Sequence, residues 1–362
     1  MKKVIIILCI IIVALLAVFL SATSKIDRTS YYLCDYYKQS MVHLDSLREH
    51  HTSLHHPLEA GFAKVSITPG LNYPEDNVAE GKFKNVPLAG YSARKGKFAT
   101  GVNDSIFVKV AAIKVAGKLM AIVGADLLIM PHNLTDTVLS MLRKDGIGID
   151  QLMFSATHSH SSLGGWGVGI MGSTSAGAPN ENMVRWLASR ISLAVRTAVQ
   201  DVKPALIGSG NVPVASYTRN RVIGEAGTKN DDFSYIILEQ IGAKKAIIGS
   251  FSAHTTIMSA RNMEISAEYP GYWARKMEHT FADYAIYCAG AVGSQSPASV
   301  EGEGFERPRK FGEALADTVL KCASTTPMQD SVVFSVITMK LNVPKYHIRI
   351  MKNRSLVPAL SN

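Results

Sequence analysis

Two histidines spaced one residue apart, His158 and His160, close the apolar run Leu152 to Ala156 and open a glycine-rich turn through Gly164, Gly165 and Trp166. On an extended strand, residues two apart point to the same side. The two imidazoles are therefore expected to project together from the strand's C-terminal end, where α/β proteins tend to place their sites. Two imidazoles on one face can chelate a metal ion. The glycines let backbone approach a ligand with no Cβ in the way. A third histidine, His254, ends the run Ala246 to Ser252 in the same manner, and Asp126 ends the run Leu119 to Ala125. The competing reading of the bare pair is a polar loop with two solvated histidines, because zinc takes three or four ligands.

These residues need a scaffold, and the apolar periodicity supplies one. Strands are expected at Gly61 to Ile67, Ile106 to Val115, Leu119 to Ala125, Leu152 to Ala156, Ala205 to Val214, Phe233 to Ile241, Ala246 to Ser252, Tyr284 to Cys288 and Val332 to Leu341. Helices are expected at Asn133 to Lys144, Glu181 to Val202, Glu268 to Phe281 and Pro308 to Lys321. Ala116-Gly117-Lys118 reads as a hairpin turn. Asn180 reads as a helix cap, with Leu187, Ile191, Ala194, Val195 and Ala198 on the buried face that follows. Strand pairs alternating with helices give the fold class α/β, with mixed β-sheets flanked by helices in a single layered domain after an N-terminal transmembrane anchor.

The anchor is the unbroken apolar run Val4 to Leu20 behind Lys2 and Lys3. About 17 residues at 1.5 Å each reach about 26 Å, enough for a thin bilayer or for a span extended by Ser21 to Ser24. Lysines before it and polar chain after it place the N-terminus in the cytoplasm and the body on the extracytoplasmic side. An uncleaved anchor over residues 1–24 is preferred to a cleaved signal peptide, because the run is long for a signal h-region. Residues 25–57 read as a juxtamembrane segment, and their His50, His51, His55 and His56 as solvated groups rather than ligands. The 362 residues carry a formal net charge of +9. No Lys/Arg block with interleaved aromatics occurs, so nucleic acid is not an expected partner. A basic surface suits anionic lipid headgroups or an anionic substrate, and equally a plain solvated face. Cys288 and Cys322 are expected as buried thiols able to pair in an oxidising compartment. Sequence patterns for nucleotide phosphates, helix-borne zinc and serine hydrolases are absent.

Several short motifs, taken in order, resemble the N-terminal catalytic region of the neutral/alkaline non-lysosomal ceramidases in a short bacterial form. They are Ala60-Gly61-Phe62-Ala63-Lys64-Val65-Ser66-Ile67-Thr68-Pro69, Gly90-Tyr91, Gly101-Val102-Asn103-Asp104, Ala156-Thr157-His158-Ser159-His160 with Gly164-Gly165, Asn220-Arg221, Ser252-Ala253-His254, Gly271-Tyr272 and Gly293-Ser294-Gln295-Ser296-Pro297. The resemblance covers about residues 58 to 340 and assigns residues 58–362 to the ceramidase-like N-terminal domain. It implies a zinc amidase that cleaves the N-acyl bond of ceramide. His160 matches a zinc ligand, and His158 and His254 match histidines near the metal with catalytic roles in orienting water or substrate. Asp104 or Asp126 would complete or support the site. Arg221, Gly164, Gly165 and Tyr272 match substrate-contacting positions. Zinc would polarise the amide carbonyl and lower the pKa of its water toward ~7.

The chain departs from the family pattern at named places. The position of the family's other zinc histidine holds Asn103, a poor zinc ligand. A family serine is Val222, and a family aspartate is Ser294. The family's remaining zinc ligands and its C-terminal β-sandwich fall beyond the last residue, as in a truncated reading frame. Three expectations follow. The first is a membrane-anchored zinc amidase acting on ceramide-like lipids. The second is a degenerate homologue serving as a lipid- or envelope-binding module. The third is a hydrolase of a different amide or ester, for which the altered Asn220 to Glu225 loop is the argument. Acyl chain and oligomeric state stay open.

Overall fold

The computed structural model describes residues 2–49, 54–224, 226–339, 341 and 348–357; His50 and His51 lie outside the described residues. The chain divides into two compact units, residues 1–52 with 337–362, and residues 53–336.

The first unit holds helix α1 (Lys2–Ala22) and helix α2 (Asp35–Glu49). No residue of α1 is buried, and its length and composition suit a membrane crossing. A three-residue strand, Thr23–Lys25, follows α1 directly and pairs antiparallel with Arg354–Leu356. That strand pairs in turn with Arg349–Met351.

The second unit is built on one mixed sheet. Its strands are β1 (Leu54–Ser66), β2 (Phe107–Val115), β3 (Lys118–Ala125), β4 (Leu152–Ala156), β5 (Lys203–Pro213), β6 (Asp232–Gln240), β7 (Lys245–Phe251), β8 (Tyr284–Ala289) and β9 (Ser331–Phe334). The order across the sheet is β8-β7-β6-β5-β1-β2-β3-β4, and β9 pairs with β1. The pairs β3–β4 and β7–β8 are parallel and the rest antiparallel. This is the α/β class with a mixed sheet. The hairpin between β2 and β3 turns on Ala116 and Gly117, both with positive φ (47° and 81°), the backbone hand that a two-residue hairpin requires.

The period-two pattern of the strands feeds two cores at once. On β2, Val108, Val110 and Ala112 face a cluster shared with α3 (His132–Leu142) and α5 (Glu181–Gln200). Ala111, Ile113 and Val115 face the opposite way, into an inner cluster with Ile248 and Ile286 from β7 and β8. The sheet curls until β8 contacts β2, β3 and β4. A Cβ added to Gly124 on β3 would lie 2.5 Å from Ile286 Cγ2 on β8. Helices α6 (Glu268–Thr280) and α7 (Glu306–Ala323) cover the other end with a third cluster around Trp273, Phe251 and Phe311. Asn180 caps α5, its side chain accepting from the N–H groups of Asn182 and Met183 at 2.9 and 3.2 Å.

Three sequence expectations change. The short helix α4 (Gly169–Ala176) was not expected, because its run of Gly, Ser and Thr carries little apolar pattern. The last strand stops at Phe334. Cys322 is exposed at the end of α7, while Cys288 is buried on β8, and both are free thiols.

Candidate metal centre

Strand β4 ends at Ala156, and Thr157 N–H still donates to the Ala125 carbonyl at 2.9 Å. His158 then leaves the extended region with φ +61°, unusual for a side chain larger than glycine. Strand alternation therefore does not aim the two histidines, as the sequence suggested; a turn does. The rings nonetheless meet, with the centroids of His158 and His160 5.1 Å apart. His254 arrives from the end of β7 by way of Ser252 and Ala253, its ring 4.4 Å from that of His158 and 4.8 Å from that of His160.

Hydrogen bonds join the loops that carry the three rings. His160 N–H donates to Thr255 O (3.4 Å), and Thr255 Oγ1 to Thr157 O (2.7 Å). Ser159 Oγ donates to Ser266 O at 2.8 Å. Arg94 is buried and spends its guanidinium on carbonyls, those of Ala89 (2.8 Å), His160 (2.5 Å) and Asn262 (2.8 Å). Tyr91 packs on the His160 ring at 4.7 Å between centroids and donates its hydroxyl to Met258 O at 2.7 Å. Gly90 sits at φ +106°, and a Cβ there would lie 2.5 Å from His160 Nδ1. Sequence reading gave Arg94 and Tyr91 no role. Nothing in an isolated loop marks an arginine that will be buried against its own backbone.

The electrostatics favour neutral imidazoles. Burial pushes His160 down to about 3, helped by His254, His158 and Arg94. His158 and His254 are lowered by burial first, then by neighbouring charge that includes Arg221. His158 Nδ1 lies 2.8 Å from Leu128 O, and His254 Nδ1 lies 2.9 Å from Val292 O. A carbonyl only accepts, so His158 Nδ1 carries the proton and its Nε2 presents a lone pair, whereas His254 Nδ1 also lies 2.9 Å from Arg221 Nη1, a donor that calls for the opposite tautomer. The Nε2 atoms converge: Nε2 to Nε2 is 3.1 Å for His158–His254 and 2.8 Å for His254–His160. Nδ1 of His160 is buried with no hydrogen-bond partner among the described residues.

The ligand atoms of the three histidines all lie within 4.8 Å of one another, and they form the group able to hold a metal ion among the described residues. Neutral nitrogen donors gathered this closely, one of them with its Nδ1–H given to a backbone carbonyl, fit a borderline divalent cation.

The other sequence candidates fall into two sets. Arg221 joins the centre, its Nη1 2.9 Å from His254 Nδ1. A guanidinium carries five N–H donors, so this one contact leaves it donors to spend. Asn103 is exposed and turned to Asp104 Oδ2 (2.8 Å) and the Tyr272 hydroxyl (3.2 Å), outside the trio of rings. Tyr272 stacks under Arg275 at 4.4 Å. Asp104 accepts from Ser266 Oγ, Ala267 N–H (3.1 Å) and Arg275 Nη1 (3.1 Å), a structural knot. Asp126 is buried, accepts from Phe107 N–H at 2.8 Å, and is pushed up by burial to about 6. Gly164 and Gly165 are buried and packed on α4. A Cβ on Gly164 would meet Ala176 O at 2.0 Å, so contact with α4 accounts for that glycine.

Residues 78–330 match the sequence profile described as neutral/alkaline non-lysosomal ceramidase, N-terminal. Two solved structures share the fold. Neutral ceramidase from Pseudomonas aeruginosa is 21% identical with a TM-score of 0.66, over 77% of this chain and 46% of that one. A ceramidase complexed with C2 is 20% identical with a TM-score of 0.67, over 77% of this chain and 45% of that one. The chain thus spans under half the length of these solved relatives. No curated protein matches it by sequence.

Proposed function

The chain belongs to the neutral/alkaline non-lysosomal ceramidase family, and from this premise we propose that it is a membrane-anchored, exported, zinc-dependent hydrolase of the N-acyl bond in ceramide-like lipids. The observation that carries this reading is the convergence of three neutral imidazoles, Nε2 to Nε2 at 2.8 and 3.1 Å, beside an arginine with donors to spend. His158, His160 and His254 would hold the ion. When bound, it supplies Lewis-acid polarisation of the scissile carbonyl and lowers the pKa of water. Arg221 would donate to the carbonyl oxygen and orient the amide, its charge favouring negative charge as it develops there. The next two residues, Val222 and Ile223, are 80% and 63% exposed and would lie against an acyl chain. Export rests on α1 and on Lys2 and Lys3 at its start.

Zinc content by plasma emission spectroscopy on the full chain in detergent, with His160→Ala beside it, tests the centre. One zinc per chain, lost in the variant together with amide hydrolysis, is the expected result. Amide hydrolysis that survives His160→Ala in metal-depleted buffer would sink the reading.

A second reading is favoured by Asn103, which is hydrogen-bonded to Asp104 and Tyr272 rather than turned to the histidines. In it, the chain keeps the family's fold and binds lipid or envelope components without chemistry. It predicts sub-stoichiometric zinc in metal-clean protein. A hydrolase of another amide or ester would be separated from the first reading by a panel of N-acyl amides.

A further inference from the structure

The strongest unassigned feature lies in the first unit, at the end of α1. Strand Thr23–Lys25 leaves the helix directly and pairs with Arg354–Leu356, register Lys25 to Arg354. That pairing draws a hairpin from the other end of the chain to the foot of α1. Arg354 locks it there. Its guanidinium donates to Thr23 Oγ1 and lies 5.5 Å from the centre of the Phe19 ring. The hairpin and the chain after α1 enclose a cavity of about 840 Å³. Lys25, Arg28, Arg349 and Lys352 line it, with Asp27 as the one carboxylate among the described residues.

The charges in this cavity are not balanced from within. Asp27 is turned to its own backbone, accepting from Thr29 N–H at 2.8 Å. Arg28 spends Nη2 on Lys352 O (3.1 Å) and Asn353 Oδ1 (3.0 Å), both neutral. Among the described residues, neither these four cations nor Arg354 is in an ion pair. Four like charges around one cavity repel one another, and an anion with several oxygens relieves that repulsion.

Depth selects the anion. From Val4 to Ala22 the uncharged part of α1 spans about 28 Å, close to the roughly 30 Å hydrocarbon core of a bilayer, with Lys2 and Lys3 at the opposite interface. Three strand residues then climb about 10 Å, across a headgroup layer about 5–7 Å deep on each side. Lys25, and the hairpin paired to it, would therefore stand at the outer part of the headgroup layer, within reach of the lipid phosphates for long basic side chains. We propose that this cavity binds the phosphodiester headgroup of an anionic phospholipid from the membrane that α1 crosses. The inference rests on the membrane-anchored part of the reading above and is independent of the zinc chemistry.

The test is native mass spectrometry of the full chain released from nanodiscs of equimolar phosphatidylglycerol and phosphatidylcholine. The expected result is retained lipid enriched in phosphatidylglycerol. The double variant Arg349→Gln, Lys352→Gln lowers that enrichment about tenfold or more, since each surface cation near anionic lipid counts for about a fivefold preference. The charge-keeping pair Arg349→Lys, Lys352→Arg retains it, which separates lost charge from lost folding. Equal retention of the two lipids by a chain that resists alkaline carbonate extraction overturns the site and leaves the anchor standing. Extraction by carbonate overturns both. Enrichment unchanged in the Gln variant overturns the assignment to this cavity. Displacement of the lipid by excess inorganic phosphate makes it a site for soluble anions and overturns the lipid.

Discussion

The Nε2 atoms of His158 and His254 stand 3.1 Å apart while each ring turns its Nδ1 to a backbone carbonyl, Leu128 O for one and Val292 O for the other. Two imidazole nitrogens from different strand ends are thus held at contact distance. A cation between the two Nε2 atoms would take a lone pair from each ring.

Zinc is therefore expected to stabilise the native chain. At a hundred times its dissociation constant, a ligand bound only to the folded state adds about 2.7 kcal/mol. Scanning calorimetry with and without zinc should show the midpoint rise in the wild type and not in His254→Ala. An equal rise in both would place the ion elsewhere.

Arg221 is expected to matter for rate and not for metal. Arg221→Ala should keep its zinc and lose amide hydrolysis by about 10²–10³-fold, the usual cost of one donor to a developing oxyanion. Single-turnover kinetics beside metal analysis checks this. Zinc lost along with activity would make Arg221 a support of His254 instead.

Gly90→Ala is expected to disable the centre without unfolding the sheet. The new Cβ would meet the His160 ring at 2.5 Å at a φ of +106°, so the ring must move. Far-UV circular dichroism should be unchanged while zinc affinity falls at least tenfold. Unchanged affinity would mean that His160 does not bear on the ion.

Stability should fall as pH rises above the histidine range. Glu268 is fully buried, and burial pushes it up to about 8 against the pull of the Met258 and Ile257 N–H groups. The folded state keeps a proton that the unfolded chain releases near 4.5. This contribution is complete below that value and is lost as pH rises through 8. The depressed histidines act in the opposite sense, stability rising with pH up to their ordinary 6.5. Between pH 6.5 and 8 Glu268 dominates, and the loss is about 2 kcal/mol. Urea midpoints across that window should fall in the wild type and stay level in Glu268→Gln. A level wild type would show that the buried carboxyl is ionised throughout.

Much of the scaffold was legible in the chain. The run Leu152 to Ala156 is β4, and Asn180 caps α5 as its type and place predict. The period-two apolar pattern of Phe107 to Val115 is a strand with two buried faces. These are local matters, decided within a turn or a pleat by backbone preference and by which side meets water. The histidines were legible as candidates, because each follows an apolar run at a strand end. Their geometry was not. Strand alternation predicted that His158 and His160 would point together, but the strand ends at Ala156 and a left-handed residue redirects the rings. His254 lies 94 residues from His160 and reaches it through the curl of the sheet. The burial of Arg94 and the pairing of Lys25 with Arg354 are of the same kind. Sequence by itself determined which residues could do chemistry and which segments would be strands or helices. The tertiary structure alone decided which of them meet, because burial, tautomer and lone-pair direction depend on neighbours that the chain brings together only when it folds.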